Sequence, residues 1–147
     1  MESKKDNSNR ITHLGMIQNV IARFSKNCFT IKSWNITFLT AFLVFGLQTD
    51  ISMPRILTIA IAFSLGFMAL EWYYLNLEKS YRNLYKAVSK IENDDDVDFR
   101  MEFHKKIDLP SKYEVENTEL LYGLKRPIIY AFYTAEILFL VMFLIIF

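Results

Sequence analysis

Apolar positions fall along the chain in three blocks separated by polar stretches. The first, WNITFLTAFLVFGLQ, covers residues 34–48 and reaches spanning length when residues 31–49 are counted with their polar ends. The second, ILTIAIAFSLGFMALEWYYLNL, covers residues 56–77, and the third occupies residues 128–147. A helix of about 20 residues is about 30 Å long, the hydrocarbon thickness of a bilayer, so each block predicts a transmembrane helix. Only TDISMPR joins the first two, which makes them an antiparallel hairpin. The pattern predicts an all-α integral membrane protein with three spans.

The flanking stretches have their own periods. Within residues 1–33, ITHLGMIQNVIARFSKNCF carries Leu14, Ile17, Val20, Ile21, Phe24 and Cys28 at helical spacing, with Thr12, His13, Gln18, Asn19 and Arg23 elsewhere. This predicts an N-terminal amphipathic helix that lies in the membrane interface or packs on the cytoplasmic parts; a gating or sensing role is the sharper alternative. The second span continues past the membrane, because LEWYYLNLEKSYRNLYKAVSKI lacks Gly and Pro and places Leu77, Tyr81, Leu84, Val88 and Ile91 at steps of four and three. A helix from Ile56 to Ile91 would be roughly 54 Å long. Its stripe fits a coiled coil or packing against the N-terminal helix of the same chain.

Residues 78–127 form the cytoplasmic middle segment. In it Val97, Phe99, Met101 and Phe103 alternate with Asp98, Arg100, Glu102 and His104, the period of a strand. A lone strand is unstable, so this small extended segment pairs with a neighbouring subunit or lies along the helices. Ser111 with Glu114 reads as a capping box for a short helix through Leu124, and Pro127 suits the first turn of the last span.

Charge orients these elements. Lys and Arg number 6 before Trp34, 1 in the short link, 10 between Glu78 and Arg126, and none after the third block. The positive-inside rule then places the N-terminus and the middle segment in the cytoplasm and the C-terminus outside. Trp34, Trp72, Tyr73, Tyr74, Tyr130 and Tyr133 gather at the inner interface, as a membrane belt requires. A cleaved signal peptide does not fit, since polar residues precede the first block and its hairpin partner follows at once. A net charge of +1 argues against a strongly basic nucleic-acid binder.

Candidate chemistry is sparse. Cys28 has no second cysteine for a disulfide, and His13 and His104 are too few to complete a zinc site with it. Asp94, Asp95, Asp96 and Asp98 lack the turning glycine and bidentate glutamate of a calcium loop. No activated Ser or Cys arrangement and no glycine-rich phosphate loop is present, so neither an enzyme nor a cofactor is expected.

Two glutamates fall inside spans, both in the cytoplasmic half of the bilayer. Glu71 adjoins the aromatic belt and can reach headgroups. Glu136 lies about 12 Å into its span, too deep for that, and must face protein or water, or be neutral. Two roles satisfy this. Copies of Glu136, with Glu71 and Tyr133, could line a cation path around an oligomer axis, or Glu136 could tie helices by a bond to Tyr130, Tyr133, Ser64 or Thr40. The basic residues Arg100, His104, Lys105, Lys106 and Lys112, with Lys125 and Arg126, fit anionic headgroups, or a polyanion when gathered around an axis.

Two stretches, MIQNVIARFSKNCFTIKSW (Met16 to Trp34) and LEWYYLNLEKSYRNLYKAV (Leu70 to Val88), resemble recurring elements of small bacterial membrane proteins, some encoded in anti-phage defence operons. The nearest functional analogy is the transmembrane effector of nucleotidyltransferase-based defence systems such as Hailong or CBASS. The resemblance implies an oligomeric channel or pore-forming effector in the bacterial inner membrane, gated by a nucleotide or oligonucleotide made by a partner nucleotidyltransferase. The competing expectation is a non-conducting anchor or regulatory subunit of a larger membrane complex.

Overall fold

A computed structural model describes residues 8–91, 97, 99, 101, 119 and 122–146. Three helices make up the fold: α1 (Ser8–Leu47), α2 (Met53–Ser89) and α3 (Pro127–Ile146). Each is long and apolar enough to cross a membrane, so the chain reads as a multi-pass membrane protein. No strand occurs among the described residues. The alternating segment expected over 97–103 falls mostly outside them, as do the Ser111–Glu114 capping box and the basic residues Arg100, His104, Lys105, Lys106 and Lys112.

The first block and the stretch upstream of it are one continuous 40-residue helix, not a separate interfacial helix followed by a span. Nothing in the sequence breaks it: Ser8 to Leu47 contains no proline, and Gly15 and Gly46 are its only glycines. The extension of the second span past the apolar block is present, as α2 runs for 37 residues. Pro54 sits in its first turn, where a missing N–H costs nothing. Gly46 lets the hairpin close tightly, since a Cβ there would stand 3.1 Å from two carbons of Ile56.

Three apolar clusters run along the bundle. At the hairpin end Leu39 and Leu43 of α1 meet Leu57 and Ala60 of α2 and Leu140 of α3. In the middle Cys28, Leu75, Ile129 and Tyr133 pack together. Beyond them Ile17 meets Leu84, Val88 and Val97, flanked by Leu14, Ile21, Tyr81 and Ile91. The stripe on α2 is therefore covered by α1 of the same chain, and Arg10 caps the far end by donating to the Ile91 carbonyl.

Ile129 shares its cluster with Cys28 and Leu75, so the first turn of α3 stands level with the middle of α1 and α2. Three helices pack over the length of α3. Past that level α1 and α2 continue as a two-helix arm, about 30 Å long for residues 8–27. The chain enters α3 through successive turns, with Tyr122 N donating to Glu119 O (3.0 Å), Lys125 N to Tyr122 O (3.2 Å) and Arg126 N to Gly123 O (3.2 Å). Gly123 pins this entry to α2, its N–H donating to Asn76 Oδ1 at 2.9 Å. Lys79 and Arg126 both lie over the Tyr122 ring, at 5.3 and 5.0 Å from its centroid.

Candidate functional site

The inward face of α1 does not stay apolar as it passes the level of α3. Ser25, Lys32 and Asn35 continue the helical spacing that carries Ile17, Ile21 and Cys28, so they point at the partner helices. α2 answers in antiparallel order with Glu78, Glu71 and Ser64, and α3 contributes Tyr133 and Glu136 one turn apart on its inner face. Three polar layers result.

The outermost layer lies in the two-helix arm, where Ser25 Oγ donates to Glu78 Oε2 at 3.0 Å and Arg82 Nε to Glu78 Oε1 at 2.7 Å. The next layer joins all three helices. Glu71 is 0 % exposed; Lys32 binds its Oε1 and the Tyr133 hydroxyl donates to its Oε2 at 3.2 Å. The Lys32 ammonium also stands 5.6 Å from the centre of the Phe132 ring. The layer is close to neutral, with one cation, one carboxylate and a hydroxyl that donates to it.

One turn deeper, Asn35 is 2 % exposed and reaches both other helices. Its Nδ2 donates to Glu136 Oε2 at 2.7 Å and approaches Ser64 Oγ at 3.4 Å. Glu136 Oε1 is buried and has no hydrogen-bond partner. No Lys or Arg pairs with Glu136 among the described residues. Glu136 lies on the inward seam of α3 between Tyr133 and Leu140, nine residues past Pro127, which is about 14 Å along the axis and close to the middle of the helix.

The sequence-derived site residues thus divide. Glu71 does not reach headgroups, because Lys32 from α1 stands in the same layer and holds it inside. Tyr133 binds Glu71 rather than Glu136. Of the other partners expected for Glu136, Tyr130 is exposed and Thr40 bonds the carbonyl of Ile36 in its own helix. Ser64 does belong to the Glu136 layer, bridged by Asn35. Asn35 and Lys32 were missed, although their spacing from Cys28 and Leu39 places them on the inward face.

No group of three or more His, Cys, Asp or Glu side chains that could hold a metal ion occurs among the described residues. No family model, curated protein or solved structure matches the chain.

Proposed function

We propose that the chain is the repeating subunit of an oligomeric membrane channel or pore-forming effector, with Glu136 as the ion-facing group and Glu71 as a structural one. The observation that supports it is the contrast between the two carboxylates. Glu71 is matched by Lys32 and Tyr133, whereas Glu136 has one oxygen on Asn35 and the other buried without a partner. A neutral amide or hydroxyl would tie helices as well, and a carboxylate near mid-bilayer costs a few kcal/mol. An unmatched intramembrane charge marks an ion path before it marks glue. One three-helix bundle filled by side chains encloses no conduit, so in this reading several copies assemble and the partly exposed edge of Glu136 at the seam of α3 meets their shared path.

The charge count orients the subunit with its N-terminus and the two-helix arm in the cytoplasm. In this reading the middle segment with Arg100, His104, Lys105, Lys106 and Lys112 receives a nucleotide or oligonucleotide from a partner nucleotidyltransferase. The arm carries that event to the spans. The setting is the inner membrane of a bacterium defending against phage.

A second reading, a non-conducting anchor or regulatory subunit, is favoured by the self-sufficiency of the Lys32–Glu71–Tyr133 layer, which needs no second copy. Membrane potential in cells expressing the wild type separates the two. Depolarisation together with a self-assembled ring supports the effector. A monomer that leaves the potential unchanged and purifies with another membrane protein supports the anchor.

A further inference from the structure

The polar layers carry an imbalance of charge. Over the length of α3, inward-facing charge comes from Lys32, Glu71 and Glu136. Lys32 neutralises Glu71 through a direct ion pair, its side chain only 17 % exposed. That leaves the Glu136 carboxyl without a matching cation, in an apolar setting bounded by the Leu39–Leu140 cluster on one side and the Tyr133 layer on the other. An uncompensated ion in such a place is costly, so an ionised Glu136 calls for one positive charge beside it.

We propose that Glu136, Ser64 and Asn35 form a binding site for a single monovalent metal cation of the sodium or potassium class. The assignment rests on reading Glu136 as the ion-facing residue. Three features select the ligand. The candidate donors are oxygens: the Glu136 carboxylate, whose buried Oε1 accepts no hydrogen bond while its Oε2 lies 2.7 Å from the Asn35 amide, and Ser64 Oγ, 3.4 Å from the same amide. Hard oxygen donors with no thiolate or imidazole suit an alkali cation and not a transition metal. The charge of the site is minus one, so a monovalent ion makes it neutral where a divalent ion would leave a buried excess of plus one.

The third feature is the placement of Asn35. Its amide nitrogen stands 2.7 Å from Glu136 Oε2 and 3.4 Å from Ser64 Oγ, so one end of the amide touches both candidate ligand residues. Turning the terminal amide by half a revolution exchanges donor for acceptor, since its two ends are nearly the same shape. With the nitrogen inward, the amide satisfies one of the two Glu136 oxygens without an ion. With the oxygen inward, it becomes the third ligand. The site thus alternates between an ion-free and an ion-bound state without moving a helix, as a site that must release its ion requires.

The test uses the full chain in lipid nanodiscs. The thermal unfolding midpoint is followed at fixed pH and ionic strength as sodium chloride or potassium chloride replaces choline chloride. Wild type should gain about 2–5 °C, saturating with one of the two ions. Ser64→Ala should need about tenfold more of that ion, the loss of one polar ligand. Glu136→Gln should show no response. Equal midpoints in sodium, potassium and choline overturn the site, as does a response that survives in Glu136→Gln or a response to pH alone. If Glu136→Gln does not fold, an unchanged half-saturating concentration in Ser64→Ala overturns it instead. Bilayer current is a separate readout. A saturable cation response without current keeps the site and retires conduction, and current without the response does the reverse.

Discussion

The Tyr133 hydroxyl donates to Glu71 Oε2 across 3.2 Å, while Lys32 from the opposite helix holds Oε1, so a wholly buried glutamate has both oxygens engaged. Removing one partner exposes the arrangement's weakness. Lys32→Met strands a buried carboxylate and should cost about 3–5 kcal/mol, more than Tyr133→Phe at about 1.5–3 kcal/mol. Lys32→Met combined with Glu71→Met removes the whole pair and should recover much of the loss. Unfolding in detergent, run as a double-mutant cycle, checks this; a double variant no better than Lys32→Met contradicts the pairing.

Gly123 makes the entry to α3 possible. A Cβ there would lie 2.7 Å from the Trp72 carbonyl oxygen and 2.8 Å from Trp72 Cδ1. The carbonyl belongs to helix backbone and cannot step aside. Gly123→Ala should therefore cost about 1–3 kcal/mol and disturb the bond to Asn76. The expected signature is a lowered midpoint with a shift in Trp72 fluorescence, and a midpoint equal to wild type would show that the turn has room to spare.

The two-helix arm rests on a small core. Leu84 and Ile17 are almost fully buried against each other's cluster, with Val88 beside them. Leu84→Ala should cost about 2–5 kcal/mol. Because the cluster lies beyond the start of α3, hydrogen exchange should accelerate in residues 8–21 and 81–89 and leave α3 unchanged. Equal acceleration along α3 would mean that arm and spans open as one unit.

Orientation is open to a direct measurement. In a Cys28→Ser background, single cysteines at the exposed positions Asp50 and Lys90 report opposite sides. An impermeant maleimide added to intact spheroplasts should label Asp50→Cys, and label Lys90→Cys only after lysis. The reverse pattern would invert the topology.

Much of this fold was legible in the hydrophobic pattern. Three apolar blocks announced three helices, and the absence of Gly and Pro after Leu70 announced the long α2. The continuity of α1 was harder to read. Ser25, Lys32 and Asn35 carry no signal of their own in the local pattern, yet they face inward and are met by Glu78, Glu71 and Glu136. Such complementarity exists only between helices. The pairs Ser25–Glu78, Cys28–Leu75 and Lys32–Glu71 do share one antiparallel register, so sliding the hairpin against itself would have exposed the first two layers. The Glu136 layer needed the depth of α3 as well, and no local period carries that.

Whether Glu136 faces ions is read from the current through planar bilayers holding the purified protein, with candidate nucleotides present and absent. Wild type and Glu136→Gln are compared under an alkali-chloride gradient. Wild type should give a cation-selective reversal potential that collapses toward zero in Glu136→Gln. The same selectivity in both proteins, or no current from correctly assembled wild type under any condition, would contradict an ion-facing Glu136.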